Sequence, residues 1–386
     1  MIFNDVVENL PPYPMEELAR IKRRLIEEKK TIFDFGTGDP RIPTWPSIVE
    51  SIKEGLPKIS QYPSVRGEAK LTNAIWGYLQ RRFQIQKTEE YGILPTNGSK
   101  EAVFNIALCL VGRQQKHTVA YPNPGYPVYR SSTLFARGKP YPVDISQNSS
   151  LAPWELPESV QDDLAAVWIN YPHNPTGVVA TNDYLSKLCE WSTYKDCPIL
   201  SDECYTDIYN PRQPAPAALI QLKSKHVISF FSLSKRSGLT GYRSGFIFAH
   251  RDIITKLAKA RANFGVGTPT PIQAGATTAW QDDHHVAERR KLFYNRMEAA
   301  FPTLQKLGMI NSLPAAGFYL WCRVPSIYKG SDVDFALELA ERGVIVSPSS
   351  WLSEGINGYV RFAMVPEQDR IVEAMKILDS FVAKIQ

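Results

Sequence analysis

The chain has 386 residues, of which 44% are hydrophobic and 22% are charged, and its formal net charge is +5 at pH 7. This is the composition of a globular protein long enough for a large domain and a smaller one. Because basic and acidic residues are interspersed, the charge argues against a nucleic-acid surface, and no stretch approaches the ~20 apolar residues of a membrane span. Five cysteines without a Cys-x-x-Cys pair, and a start without a signal-peptide pattern, predict reduced thiols in a cytoplasmic protein and no zinc site.

Short apolar runs alternate with stretches of helical periodicity from about residue 66 to 280. Predicted strands are 92–94, 118–120, 165–169, 198–200, 227–231 and 246–249. Predicted helices between them are 101–111, 183–194 and 253–262. This alternation is typical of a parallel sheet with helices on both faces.

The pattern changes after residue 285. Predicted helices there are 286–307, 332–342 and 367–385, and predicted strands are 317–324, 344–346 and 359–363. We therefore expect an α/β protein whose large domain, residues 46–285, has a mostly parallel seven-stranded sheet flanked by helices. A smaller α+β domain would combine residues 1–45 with 286–386, because the N-terminal arm 11–30 is too short to fold alone.

Polar side chains follow the first predicted strands in turn. Ligands gather at the carboxyl ends of strands in open α/β sheets. Gly98, Ser99 and Lys100 open a helix, where free N–H groups bind phosphate. Tyr126 is suited to lie over a flat heteroaromatic ring, and Asn174 to donate to a phenolate oxygen. These residues suggest a site for a phosphorylated aromatic cofactor.

A carboxylate and a lysine follow the next strands. Asp202 can pair with a pyridinium nitrogen and keep it protonated, and Tyr205 can donate to a ring hydroxyl. Lys235 can form a Schiff base. Side chains near this lysine that are suited to hold a phosphate are Ser232, Ser234 and Arg243. This combination predicts that the protein binds pyridoxal 5′-phosphate (PLP).

Three motifs carry a resemblance to a known family. Asn174-Pro175-Thr176-Gly177, Ser234-Lys235 and Gly241-Tyr242-Arg243 resemble those of PLP-dependent aminotransferases of the aspartate aminotransferase type, class I/II and fold type I. The resemblance covers nearly the whole chain. It implies a homodimer with shared active sites that acts on small amino acids and 2-oxo acids.

The resemblance also implies a role for each site residue. Lys235 would hold PLP and move a proton, Asp202 would pair with the ring nitrogen, and Tyr205 and Asn174 would bind the ring oxygen. Tyr126 would stack on the ring. Around the phosphate it implies Gly98, Ser99, Lys100, Ser232, Ser234 and Arg243, with Tyr62 reaching over from the neighbouring subunit. The substrate ligands implied are Gly38, Asn174 and Arg361.

The segments 201–205, 232–237 and 279–286 look closest to N-succinyldiaminopimelate aminotransferases of lysine biosynthesis. We therefore expect amino transfer between glutamate and N-succinyl-LL-diaminopimelate. Alternatives are another class I aminotransferase, for aspartate, alanine, aromatic amino acids or LL-diaminopimelate, and a carbon–sulfur β-lyase. A PLP-binding module of a regulator is a third reading, which an intact Lys235 opposes.

Two further points concern ligands of the site. The ligand of a distal substrate carboxylate stays open among Arg41, Arg66, Asn263 and others. His284 and His285 are adjacent, so they point to different faces of a helix and do not predict a metal site.

Overall fold

The computed structural model describes residues 2–9, 16–146 and 149–385. Its strands are β1 (Phe33–Asp34), β2 (Tyr91–Thr96), β3 (Thr118–Asn123), β4 (Lys139–Asp144), β5 (Leu164–Asn170), β6 (Ile199–Asp202), β7 (Val227–Ser232), β8 (Gly245–His250), β9 (Tyr319–Arg323), β10 (Val344–Ile345), β11 (Ser347–Pro348) and β12 (Tyr359–Ala363). Its helices are α1 (Asp5–Glu8), α2 (Glu16–Glu27), α3 (Pro46–Glu54), α4 (Ala69–Phe83), α5 (Ser99–Leu110), α6 (Val128–Phe135), α7 (Glu158–Asp162), α8 (Asn182–Tyr194), α9 (Leu233–Arg236), α10 (Arg251–Phe264), α11 (Thr270–Gln281), α12 (His284–Lys306), α13 (Asp332–Glu341) and α14 (Gln368–Ala383). No helix of the described residues is both long and apolar enough to cross a membrane.

A seven-stranded sheet forms the centre of the molecule, in the order β2-β8-β7-β6-β5-β3-β4. Strand β8 runs antiparallel to both of its neighbours, and the other pairings are parallel. Adjacent residues of β7 point to opposite faces, as the pleat requires. Phe230 packs in the cluster that contains α5 and α10, whereas Phe231 packs in the cluster that contains α4 and α11. The predicted mostly parallel sheet, flanked by helices, is confirmed.

Strand β4 was not among the strands predicted from apolar runs. It carries Pro140 and Pro142, which normally argue against a strand. The amide of Lys139 donates to His117 on the side of β3, so the two prolines, at alternate positions, place their missing donors on the open side. An edge strand needs no donors on that side, and the prolines are therefore tolerated.

A second group of strands lies in the C-terminal part of the chain. Strands β11, β12 and β9 form an antiparallel sheet, and β1 pairs with β10. A core that includes Phe335, Leu378 and Phe381 joins this group to α12, α13 and α14. Helix α2 packs beside it through Leu18 and Leu25. Residues 11–15 of the predicted arm lie outside the described residues, and the domain limits 46–285 and 1–45 with 286–386 stay a prediction.

The fold brings the two sheets together at one place. Asn170 and Asp202, which end β5 and β6, are paired in register, and Asp202 is paired with Phe230 near the end of β7. The ends of these three strands therefore lie along one edge of the sheet. Strand β12 of the small sheet directs Arg361 towards Asn174, beyond the end of β5.

Candidate active site

A cavity of about 450 Å³ lies at this edge. The residues predicted for the site that line it are Gly38, Ser99, Lys100, Tyr126, Asn174, Asp202, Tyr205, Ser232, Ser234, Lys235, Arg243 and Arg361. Gly98 directly precedes one of its walls. Tyr62 does not line the cavity, and its side chain is fully exposed.

The lysine is presented by the short helix α9, which begins where β7 ends. The hydroxyl of Ser232 accepts a hydrogen bond from the amide of Ser234 at 3.1 Å, which caps the first turn. The Nζ of Lys235 donates to the carbonyl oxygen of Gly38 and lies 5.6 Å from the centroid of the Phe318 ring. The amine therefore faces the cavity across from the segment that contains Gly38.

Asp202 ends β6 and is only 5% exposed. The Tyr129 hydroxyl donates to its Oδ2 at 2.8 Å, and the Cys204 amide donates to its Oδ1 at 3.2 Å. Burial nevertheless raises the pKa of Asp202 above its ordinary value. A cationic group bound in the cavity would lower that pKa and hold the carboxylate ionised.

The residue that precedes α5, Gly98, lies against the guanidinium of Arg243. Gly98 has φ +74°, and a Cβ there would lie 2.6 Å from Nη2 of Arg243. Arg243 is held by the carbonyl of Thr240, to which Nη1 donates at 2.8 Å. Because a side chain at position 98 would occupy this space, the glycine leaves the guanidinium and the amides of α5 open to an anion. The residues present therefore fit the phosphate of PLP.

The side chains around the rest of the cavity are fixed by one another. The backbone amide of Asn174 donates to Oδ1 of Asn170 at 2.9 Å, and Nδ2 of Asn170 donates to the backbone carbonyl of Asp202 at 2.8 Å. The ring of Tyr126 stands at 84° to the ring of Tyr129. Together with the hydrogen bond from Tyr129 to Asp202, these contacts connect the residues that follow β3 to the ends of β5 and β6.

Tyr319 is a site residue that the sequence did not reveal. Its hydroxyl lies 3.0 Å from the hydroxyl of Tyr205, and it lines the cavity. It lies on β9 among other aromatic residues, and nothing local distinguishes it from core. Cys204 was missed as well, because nothing local distinguishes it from a core residue. Its thiol contacts the Ser99 hydroxyl at 2.9 Å.

Arg361 is held on three sides and is 9% exposed. Nη1 donates to Oδ1 of Asn174 at 3.2 Å, and Nη2 donates to the carbonyl of Gly36 at 3.0 Å. Its Nε is buried without a hydrogen-bond partner among the described residues. The guanidinium also lies 4.6 Å from the centroid of the Tyr319 ring. A fixed guanidinium with an unused donor is suited to a planar carboxylate.

The three candidates for a distal carboxylate do not line this cavity. Arg41 is exposed and pairs with Asp34 at 3.3 Å. Arg66 is exposed, and Nδ2 of Asn263 donates to a carbonyl of its own helix, that of Lys259, at 2.9 Å. Within one chain the structure does not bring any of them to the site.

The adjacent histidines, His284 and His285, were not predicted to bind a metal, and the ring of His285 contacts two other side chains. Nδ1 of His285 lies 2.8 Å from Oδ2 of Asp282, and Nε2 lies 2.8 Å from the hydroxyl of Ser237. Within the described ranges, no three His, Cys, Asp or Glu side chains are grouped so as to hold a metal ion.

Residues 30–378 match the family model for aminotransferases of class I and II. The chain belongs to this family. The enzyme is thus an aminotransferase, and it uses PLP, as enzymes of this family do.

Several relatives of this aminotransferase are similar over nearly their whole length. An LL-diaminopimelate aminotransferase of Aquifex aeolicus is 32% identical over 96% of this chain and 97% of its own. One from Syntrophobacter fumaroxidans is 30% identical over 95% of each chain. Among solved structures, an aminotransferase from Neisseria meningitidis is 28% identical over all of both chains, with a TM-score of 0.87.

Another solved structure shares the fold alone. It is a probable N-succinyldiaminopimelate aminotransferase from Thermus thermophilus, which is 21% identical with a TM-score of 0.85.

Proposed function

We propose that this aminotransferase exchanges an amino group between LL-diaminopimelate and 2-oxoglutarate. The observation that carries the reaction is that one cavity holds both Lys235 and the half-satisfied guanidinium of Arg361. The choice of substrate is supported by relatives named LL-diaminopimelate aminotransferase, which are 30–32% identical over nearly the whole chain. N-succinyl-LL-diaminopimelate, the expected substrate, has weaker support, because the neighbour with that name is 21% identical.

We infer that Lys235 and Asp202 act on opposite parts of the cofactor. Lys235 would hold PLP covalently through Nζ, and Asp202 would pair with the ring nitrogen. When bound, PLP supplies an electron sink for negative charge at the substrate Cα. The buried Asp202 carboxylate would keep that sink cationic, and Nζ of Lys235, freed when the substrate amino group takes its place, would accept and return the substrate proton as a general base.

The remaining residues orient the two molecules. For the phosphate we assign Gly98, Ser99, Ser232, Ser234 and Arg243, together with the backbone of Lys100. For the ring we assign Tyr126, Asn174 and Tyr205. Arg361 would bind the α-carboxylate, and the backbone of Gly38 would close over it and exclude water.

We also propose that the active enzyme is a homodimer. Tyr62 is predicted to bind the cofactor phosphate, but within one chain its side chain is fully exposed and does not line the cavity. Leu56, Ile59 and Val266 are also exposed apolar residues. A second copy that covers this surface would bring Tyr62 to the neighbouring site. All five cysteines are free, which is typical of the cytoplasm, where we place the enzyme.

A comparison of amino donors tests the proposed substrate. The purified holoenzyme is supplied with 2-oxoglutarate and, in turn, LL-diaminopimelate, N-succinyl-LL-diaminopimelate and aspartate, and glutamate is measured. We expect the highest kcat/KM with LL-diaminopimelate. A higher value with the succinylated donor would restore the first expectation for the substrate.

Two other results would point to the remaining readings. Pyruvate formed from cystathionine without glutamate would indicate a β-lyase. Stoichiometric PLP without turnover of any amine would indicate a binding module.

A further inference from the structure

A second cavity, of about 560 Å³, shares no lining residue with the first. One wall is the face of α12 that carries Arg289 and Arg296. The others include Arg41, Trp45 and Ser237. Ser237 lies two residues after Lys235, so this cavity adjoins the loop that follows the lysine helix.

Two arginines are buried side by side in its wall. Arg289 and Arg296 are each only 6% exposed, and they lie seven residues apart, on one face of α12. Their guanidinium carbons lie 5.5 and 6.0 Å from the centroid of the Phe293 ring between them. Arg296 donates from Nη1 to the carbonyl of Val365 at 2.9 Å.

Arg289 has no such partner. Its Nε and Nη2 are buried, and no group of the described residues accepts a hydrogen bond from either. A guanidinium stays charged in proteins, and a buried charge without a partner is costly. Its pKa is lowered to about 10 by burial and by the charge of Arg296, which leaves it protonated at neutral pH. The fold thus holds a cation that a bound anion would stabilise.

The guanidinium of Arg289 also lies directly against Gly238. A Cβ on Gly238 would lie 2.7 Å from its Nη1 and 2.9 Å from its Nη2, and Gly238 has φ +72°. The glycine therefore lets the guanidinium pack directly on the loop after Lys235. Since a rigid fork of donors loses little entropy on binding, it is suited to bidentate recognition.

We propose that this second cavity binds a small carboxylate, held by the Arg289 guanidinium with Arg296 adjacent. The planar fork matches a carboxylate, and the cavity has room for several further carbon atoms. Two exposed carboxylates, Glu288 and Glu367, also line the cavity and offset the exposed charges of Arg41 and Lys291, so we expect the planar fork of Arg289, rather than charge alone, to select the ligand. The ligand would connect α12 to the loop that carries Ser237.

Isothermal titration calorimetry of the holoenzyme with succinate tests this proposal. Because the active site also attracts carboxylates through Arg361, the titration is done on an Arg361→Gln variant, with chloride and phosphate at equal ionic strength for comparison. We expect saturable binding of succinate that is at least tenfold weaker after Arg289→Met is added. The matched control is Arg290→Met on the same helix, whose guanidinium lies 4.6 Å from the Tyr209 ring centroid, and it should retain binding.

The proposal fails if the Arg361→Gln variant does not bind succinate, or if Arg289→Met leaves the affinity unchanged. It also fails if phosphate or chloride binds as tightly as succinate. Near-UV circular dichroism checks that each variant is folded. Should Arg289→Met not fold, Arg289→Lys keeps the charge without the fork and should still lose at least tenfold in affinity.

Discussion

At the scale of single residues, the buried carboxylate of Asp202 carries the most specific electrostatic expectation. Burial raises its pKa, and the Tyr129 hydroxyl and the Cys204 amide supply its described hydrogen bonds. A cationic ring nitrogen would complete its pairing. Breaking a buried charge pair costs about 3–5 kcal/mol.

We therefore predict that Asp202→Asn lowers kcat/KM by about 10²- to 10⁴-fold, as loss of a buried pair implies. Tyr129→Phe keeps the carboxylate but removes one donor at 2.8 Å. It should lower kcat/KM less, by the factor that corresponds to a loss of about 1.5–3 kcal/mol. Steady-state kinetics with saturating PLP measure both. Equal activities of Asp202→Asn and the unaltered enzyme would contradict the assignment.

Arg361 allows a second test at this scale. Its guanidinium donates to Asn174 and to Gly36 and retains a free donor, an arrangement that the point charge of a lysine does not reproduce. Arg361→Lys should raise KM for amino acids roughly 10- to 100-fold through a lost charged hydrogen bond, with a smaller change in kcat. Amines without an α-carboxylate are the control, since their turnover should not change. A similar loss for both kinds of donor would argue against carboxylate binding.

At the scale of elements, the four-residue helix α9 depends on a buried ion network. Arg236, beside Lys235, donates to Asp207 at 2.9 Å and to the carbonyl of Ala279 at 2.6 Å. Asp207 also accepts from Tyr78 at 2.8 Å and from Arg82 at 3.1 Å. The network ties the lysine helix to α4, to α11 and to the loop after β6.

Removing the anion from this network should destabilise the whole site. We predict that Asp207→Ala lowers the free energy of unfolding by about 3–5 kcal/mol, because buried cations are left without a partner. Urea unfolding of the holoenzyme measures the change. Asp379→Ala, which removes a surface ion pair with Lys306, is the control and should cost at most about 1 kcal/mol. Equal losses for the two variants would show that the network does not support α9.

Two buried histidines predict how stability depends on pH. Burial lowers the pKa of His173 and of His285 to about 4. In the unfolded chain their pKa returns to its ordinary value of about 6.5, so the unfolded state binds more protons between those values. Stability should therefore fall as pH decreases from about 6.5 to about 4, by up to about 1.4 kcal/mol per pH unit for each histidine.

Unfolding of the unaltered enzyme and of a His173→Gln, His285→Gln double variant, measured at pH 7, 6 and 5, tests this dependence. Glutamine keeps a donor and an acceptor without titrating. The double variant should lose less stability on acidification than the unaltered enzyme. Parallel pH dependences would contradict the role given to these histidines.

The sequence predicted those site residues whose role follows from their type and from their position directly after a strand. Asp202 and Lys235 follow apolar strands directly, and their types already indicate a cofactor with a basic ring and an aldehyde. Tyr319 gave no such signal, because it reaches the site only after β9 packs beside the loop that holds Tyr205. Strand β4 was missed because its prolines disguise an edge strand.

At the scale of the whole molecule, the site is formed by two sheets that are distant in sequence. Arg361 lies 187 residues from Asn174, to which it donates. No local pattern sets such a contact, and the resemblance to a family implied only that both residues bind the substrate. The same holds for Tyr62, which within one chain stays away from the cavity.

Complementation tests whether two chains share each site. Tyr62→Ala and Lys235→Ala chains should each be weakly active or inactive alone. After unfolding and refolding together, mixed dimers should contain one site with an intact Lys235 and the partner's intact Tyr62. We predict that activity reappears in the mixture, at up to about a quarter of the unaltered value if chains pair at random. A mixture no more active than its components would contradict a shared site.

The most direct test of the account is the half-reaction of the PLP-loaded enzyme with LL-diaminopimelate in the absence of any 2-oxo acid. We predict that the absorbance of bound PLP converts to that of pyridoxamine phosphate. The Lys235→Ala variant should not show this conversion. An unchanged spectrum with LL-diaminopimelate, glutamate and other amino acids, or pyruvate released while the PLP band persists, would contradict an aminotransferase that works through Lys235.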